Sequence, residues 1–434
     1  MRTRYVDGLI FDRVSGRLIP QELVTENGFV IARGEAVSVS ADRVVSLRGL
    51  AVFPGFADVH VHLREPGFSY KETIASGSRA CARGGYTVVC AMPNLDPPPD
   101  TPEHLAAEQA IIDRDAVIRV LPYGCITMGQ RGEGEVTDMA AMAGHTAGFS
   151  DDGRGVRDRE TMLEAMRRCA AADSIISAHC EDVSLIPKGA GIHDGRYARE
   201  HRLPGIPSAS ETDPIVRDIE LCRETGCRYH VCHVSAKESV EAIRKAKAEG
   251  VNITCETAPH YLLLCEDDLP ADPNTPDSGR FKMNPPLRGS EDRDALLEAL
   301  LDGTIDCIAT DHAPHSAEEK AKGLTGSAMG ITGIEAAFPV LYTCLAETGK
   351  VPLGMLIDRL CYRPRERFLL GGGIEPGDRL EMTAFDLHAS SIVDPDRFVS
   401  LGHATPFAGR PVHAVCRLTV IGECTVWDAS TEGL

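Results

Sequence analysis

Between Phe53 and Pro314 the chain alternates short apolar runs of β character with longer stretches of helical periodicity. Eight β-type runs stand out: Phe56–His60, Tyr86–Met92, Val117–Pro122, Ala147–Ser150, Ile175–His179, Tyr229–Val234, Asn252–Thr257 and Asp306–Thr310. Helical patterns fill Glu72–Arg83, Pro102–Arg114, Arg159–Ala172, Glu211–Glu224 and Glu291–Leu301. Another begins at Ser235-Ala236-Lys237-Glu238, which reads as a capping box, puts Val240, Ile243 and Ala246 on one face, and stops at Gly250. Strands alternating with helices pair in parallel with the helices outside. Eight such units predict an α/β fold, a closed (β/α)8 TIM barrel over residues 51–369. The competing architecture is a doubly wound open sheet, but no Gly-x-Gly-x-x-Gly opens any of these helices.

The two ends lack this alternation. Leu9-Ile10-Phe11, Phe29-Val30-Ile31, Val44-Val45-Ser46 and Val412–Val420 are short β pieces separated by turns, with no large helix. They predict one small β-sandwich-like domain built from residues 1–50 and 370–434, with the barrel inserted between its halves. The segment Ser316–Gly330, rich in Gly, Ala and Lys, follows the last barrel strand, where a substrate-covering loop would sit.

A net charge of −19 argues against nucleic acid or anionic membranes as partners. It also means that an acidic substrate must be captured locally rather than steered by the whole-protein field. No apolar run reaches transmembrane length, and Met1–Asp12 carries no signal-peptide core. The fifteen cysteines are scattered, without Cys-x-x-Cys, and many lie inside strand-like runs. They read as small buried hydrophobes in a reducing, cytoplasmic setting rather than as a thiolate metal site.

Candidate chemistry concentrates at the strand ends. The first strand closes with Asp58-Val-His60-Val-His62-Leu-Arg64. Simple alternation would turn Asp58, His60, His62 and Arg64 to one face, with the two imidazoles about 7 Å apart along the strand. Two such imidazoles can grip one metal, and an arginine beyond them can hold an anion with two parallel donors. Asp151-Asp152 follow the fourth run, His179 ends the fifth, His233 lies near the end of the sixth, and Asp311 follows the eighth. In (β/α)8 enzymes the active site lies at these C-terminal ends. Four histidines and two aspartates suit divalent ions, most simply two Zn²⁺, with one possible. His260, just past the seventh run, could line the site; His230 is on the face opposite His233.

Asp-x-His-x-His-x-Arg-x-Pro-Gly at 58–67 and Ala-Thr-Asp-His-Ala-Pro-His at 309–315 together resemble the paired signature of dihydroorotases, members of the amidohydrolase superfamily. The intervening elements agree in order: Met-Pro-Asn at 92–94, Phe-Ser-Asp-Asp-Gly at 149–153, Ala-His-Cys-Glu at 178–181, Cys-His-Val-Ser at 232–235 and Met-Asn-Pro-Pro-Leu-Arg at 283–288. The similarity is to the long bacterial form. Related hydantoinases and allantoinases place a carboxylated lysine after strand four, where this chain has aspartates. The resemblance therefore implies Asp152 as the ligand bridging two metals, with His60, His62 and Asp311 on one and His179 and His233 on the other. It implies Asp311 as the catalytic proton carrier. Arg64, Asn94, Asn284 and His315, with backbone groups near Met329 and Gly330, would hold the substrate. The implied reaction is zinc-dependent, reversible hydrolysis of (S)-dihydroorotate to N-carbamoyl-L-aspartate in pyrimidine biosynthesis. The resemblance also raises the expectation of a homodimer and of association with aspartate transcarbamoylase. One departure is that the familiar Pro-Phe-Gly at the end of the lid is here Ala328-Met329-Gly330. Two other readings compete: a hydrolase of hydantoins, dihydropyrimidines or allantoin, and a non-catalytic subunit that scaffolds the transcarbamoylase.

Overall fold

The computed structural model describes residues 1–431. The last three residues of the 370–434 segment lie outside the described residues. Parallel strands Phe56–Val61, Tyr86–Ala91 and Arg119–Pro122 form one arc of the barrel. Ile175–Ala178, Arg228–Val231, Ile253–Thr257 and Cys307–Ile308 form the other. The remaining stave is Ala147–Ser150, which is too irregular to be a named strand yet is hydrogen-bonded on both sides. Ala147 N donates to Pro122 O and Phe149 N to Ile175 O, at 2.8 and 2.9 Å. The irregularity has a local cause at Gly148, whose φ is 156° and where an added Cβ would sit 2.6 Å from Ile175. A parallel bridge from Val61 to His312 closes the ring. Helices such as Ile74–Arg83, Pro102–Asp115, Arg159–Ala171 and Ala209–Thr225 alternate with the strands in the chain.

The helix predicted from the box at Ser235 spans Lys237–Ala248, but Ala236 is its N-cap and no side chain caps it in that way. Ser235 is engaged elsewhere: its hydroxyl donates to buried Glu211 and accepts from Arg288 Nε. Asp292 instead accepts from the Lys237 N–H at 3.0 Å.

Both chain ends enter one eight-stranded sheet. Arg2–Asp12 is antiparallel to Arg17–Glu26 and parallel to Ala51–Pro54, which in turn pairs antiparallel with Met382–Phe385. The strand Ala51–Pro54, placed in the barrel by the boundary at residue 51, thus belongs to the end sheet. It is the seam that joins the N-terminal and C-terminal strands, and Gly55 is the single residue between it and the first barrel strand. Beneath this seam Glu381 is fully buried. It receives Arg119 Nη1 at 2.6 Å, Arg365 Nη2 at 2.9 Å and Thr87 Oγ1 at 2.9 Å, so its charge is paired on both oxygens and ties the sheet to the barrel.

Candidate active site

The first barrel strand does not run in simple alternation. Its register against Tyr86–Ala91 advances three residues from Asp58 to Val61 while the partner advances two, a β-bulge. Ala57 and Val59 pack in the interior cluster with Val88, Cys90 and Tyr123. Asp58 is turned away from the imidazoles, and its carboxylate accepts from the backbone N–H groups of His60 and Thr310. The bulge re-aims His60 toward the centre of the barrel mouth beside His62, with ring centroids 5.4 Å apart.

Around them the other strand ends converge. Asp152 Oδ1 lies 3.4 Å from His60 Nε2 and 3.5 Å from both His179 Nδ1 and His233 Nε2; Asp152 Oδ2 lies 3.5 Å from His62 Nε2. Asp311 Oδ1 lies 3.2 Å from His62 Nε2 and 3.5 Å from His60 Nε2. The neighbouring Asp151 is spent on structure, accepting from the N–H groups of Ile126, Thr127 and Gly132. Backbone geometry at the site is strained: Arg64, His233 and Asp311 have φ of 61°, 34° and 47°, a region that non-glycine residues seldom occupy.

This donor set fits divalent cations. His60 Nε2 and Asp152 Oδ1 are buried without a hydrogen-bond partner among the described residues, and most of the converging N···O separations are too long for good hydrogen bonds. His60, His62 and Asp311 offer ligand atoms within 4.8 Å of one another, as do His60, Asp152 and His233. The charge balance points the same way. Burial opposes protonation of His60, but Asp152 and Glu256 outweigh it and draw the ring well above its ordinary pKa. His179 is raised to about 10, against its burial, by Asp152 and Glu181. Burial raises the Asp152 carboxyl, yet His60, His179 and His233 hold it far below the carboxylate range. Negative charge that attracts protons to ring nitrogens here would equally hold metal cations, which displace those protons. Cys232 also lies near His60 and Glu256, but burial pushes its thiol up and keeps it protonated.

Every residue singled out from the sequence as metal-binding, catalytic or substrate-binding, apart from His60, lines one cavity of about 230 Å³. Volume does not distinguish it, since cavities of about 320 and 580 Å³ lie elsewhere; its chemistry does. Arg64 is 9% exposed and makes no ion pair with Glu65 or Glu72. Its Nε donates to Pro314 O at 3.3 Å, and its Nη2 lies 3.4 Å from His315 Nε2. Lys71 donates to His315 Nδ1 at 3.3 Å, so the His315 proton sits on Nε2, where it reaches Met329 O at 2.8 Å. Burial, with Arg64 and Lys71 nearby, lowers His315 to about 3 and keeps it neutral. Asn94 donates to Asp152 O at 2.8 Å. His260 is buried with Nε2 unpartnered among the described residues, and it is not part of the cavity wall.

The segment 316–330 forms two short helical turns, Ala317–Lys320 and Gly323–Gly326, packed down by a buried lysine. Lys320 Nζ donates to the carbonyls of Lys282, Ala328 and Gly330 at 2.9, 2.8 and 2.7 Å. These bonds brace Met329 and Gly330 against the cavity despite the altered Ala-Met-Gly.

Three supporting residues went unassigned in the sequence. Glu256 binds His60 Nδ1 at 2.7 Å and His230 Nε2 at 3.1 Å, fixing the His60 ring so that Nε2 faces the cluster. A carboxylate inside the strand Ile253–Thr257 was the available signal. Glu181 and Lys71 carried none, because their contacts with Asn284 and His315 join positions more than 100 residues apart.

A barrel whose strand ends combine paired imidazoles, two carboxylates and a buried arginine fits the class of amidohydrolase-type enzymes. A family profile described as "Dihydro-orotase-like" matches residues 49–239. Curated relatives named dihydroorotase include one from Geobacillus sp. (strain WCH70), 49% identical over 95% of both chains. Another, from Bacillus cereus (strain B4264), is 47% identical over 95% of both. Among solved structures, the L-hydantoinase (dihydropyrimidinase) from Arthrobacter aurescens superposes with a TM-score of 0.86 at 25% identity, covering 98% of this chain and 96% of that one. A D-hydantoinase shares the fold at a TM-score of 0.85 and 19% identity, over 99% and 95%. The chain belongs to the dihydroorotase family and is a cyclic amidohydrolase.

Proposed function

We propose that this cavity performs the reversible hydrolysis of (S)-dihydroorotate to N-carbamoyl-L-aspartate, with His60, His62, Asp152, His179, His233 and Asp311 as ligands of two zinc ions. The observation that carries the reading is the shared cavity, lined by imidazoles and carboxylates together with the Arg64 side chain. Bound zinc would supply Lewis acidity at the ring carbonyl and a water acidified towards neutral pH. Asp311 takes the proton of the attacking water and passes it to the leaving ring nitrogen. Asp152, with its oxygens facing different histidines, spans the two halves of the cluster. Arg64 pairs with the substrate carboxylate, assisted by neutral Asn94 and His315. Asn284 and the backbone at Met329–Gly330 address the ring amide. Hydrolysis releases one proton, so lower pH favours the cyclic form and higher pH the open one. The reading extends to a cytoplasmic homodimer able to associate with aspartate transcarbamoylase, as the resemblance implies. No helix among the described residues is long and apolar enough to cross a membrane.

The competing substrates are uncharged rings, as the hydantoinase neighbours suggest. Against them stand the buried guanidinium and the absence of lysine from the cavity wall. Comparing kcat/KM for dihydroorotate and dihydrouracil tests this directly. Dihydroorotate is expected to be preferred by roughly 100-fold or more, since an arginine left unpaired beside a neutral ring loses a charge-assisted pair. Equal or better turnover of dihydrouracil would overturn the assignment.

A further inference from the structure

His315 stands between two elements assigned to the substrate. Its Nε2 lies 2.8 Å from Met329 O and 3.4 Å from Arg64 Nη2. Which of them it bonds depends on where the neutral ring carries its proton. With the proton on Nε2, the ring donates to Met329 O, and Arg64 Nη2 finds no acceptor there. With the proton on Nδ1, the Nε2 lone pair repels the Met329 carbonyl and accepts from Arg64 instead. Two side chains compete at Nδ1 to decide this. Lys71 Nζ lies 3.3 Å away and, as an ammonium, can only donate. Glu319 Oε2 lies 3.5 Å away and, as a carboxylate, can only accept. Lys71 is the nearer, and Glu319 is engaged elsewhere. Its Oε1 pairs with Lys71 Nζ at 2.9 Å, and its Oε2 accepts from the N–H and the hydroxyl of Ser316, both at 3.1 Å.

Resting on the substrate-holding roles assigned above, we propose that Lys71 is a positioning residue: by donating to His315 Nδ1 it commits the ring proton to Nε2 and Met329 O, which leaves Arg64 Nη2 free for the substrate carboxylate. Without Lys71, Glu319 is left to accept from Nδ1–H. The proton then moves to Nδ1, and His315 captures the guanidinium while releasing the Met329 carbonyl. Lys71 follows the first barrel strand and Glu319 lies in the turn Ala317–Lys320, so their ion pair also ties the loop of Arg64 to the segment 316–330.

Lys71→Met tests this because it keeps an unbranched stem and removes the donors. KM for dihydroorotate should rise about tenfold with kcat within about threefold. Loss of a positive charge by itself would also weaken an anion, and a double-variant cycle separates the two effects. His315→Gln has no tautomer to fix, so adding Lys71→Met to it should change KM by less than about twofold. The tautomer is read directly by NMR of protein carrying isotope-labelled histidine, with the His315 signals identified by their loss in His315→Gln. The proton should sit on Nε2 in the wild type and on Nδ1 in Lys71→Met. An unchanged KM in Lys71→Met, effects that multiply in the double variant, or the same tautomer in both proteins would each overturn the proposal. The NMR reading needs no turnover, so failure of the reaction assignment would show separately as a wild-type enzyme inert towards dihydroorotate.

Discussion

Replacing Asp311 by alanine should reduce kcat by about three to four orders of magnitude and lower the zinc content of the purified protein. Two losses combine. The carboxylate is the proposed proton carrier between the attacking water and the ring nitrogen, and its Oδ1 also faces His60 and His62 as the proposed third ligand of one ion. Asp311→Asn separates them, because the amide keeps the shape and one weak oxygen ligand but cannot accept a proton. It should hold metal better than the alanine variant while turning over no faster than about a hundredth of wild type. Activity and metal analysis of both variants decide the matter. Near-normal turnover in either would remove Asp311 from the proton path, whatever its effect on metal.

Replacing Arg64 by alanine should act on binding. The guanidinium sits in the cavity wall with its Nε on Pro314 O and, among the described residues, no carboxylate partner, so its remaining donors are available to an anion. Its loss should raise KM for dihydroorotate by about 100-fold, the cost of a two-pronged charge-assisted pair, with a smaller change in kcat. Turnover of uncharged dihydrouracil should barely change, so the preference for dihydroorotate should collapse. Arg64→Lys should recover only part of it, since a point charge cannot match both carboxylate oxygens in a plane. Steady-state kinetics with both substrates measure this, and an unchanged KM for dihydroorotate would take Arg64 out of the site.

The barrel was legible because apolar runs and helical periods alternate on a scale that one sequence displays. Even the irregular stave Ala147–Ser150 could be read, since its apolar character survives the break at Gly148. The convergence of His60, His62, Asp152, His179, His233 and Asp311 follows from the same pattern, each residue standing at a strand's C-terminal end. What failed was local geometry. Strict alternation put Asp58 beside His60, but a bulge separates them, and no residue type between 58 and 61 announces it. The box at Ser235 had the right letters, but buried Glu211 and Arg288 claim the hydroxyl. Ala51–Pro54 looked like the approach to the barrel; its pairing with Met382–Phe385 is set by residues more than 300 positions away. The supports of the site were equally hidden. Glu256 meets His60, and Glu181 meets Asn284, across more than 100 positions of chain, and only the folded molecule brings them together.

In the proposed mechanism, metal held by these strand ends is what makes the hydrolysis of dihydroorotate possible. The most direct measurement is dihydroorotate hydrolysis by protein stripped of metal with a chelator and then titrated with zinc, with bound zinc counted at each step. Activity should be absent in the stripped protein and return in proportion to zinc, saturating at roughly two ions per chain. Full turnover without metal, or two bound zinc ions with no turnover of dihydroorotate, would contradict it.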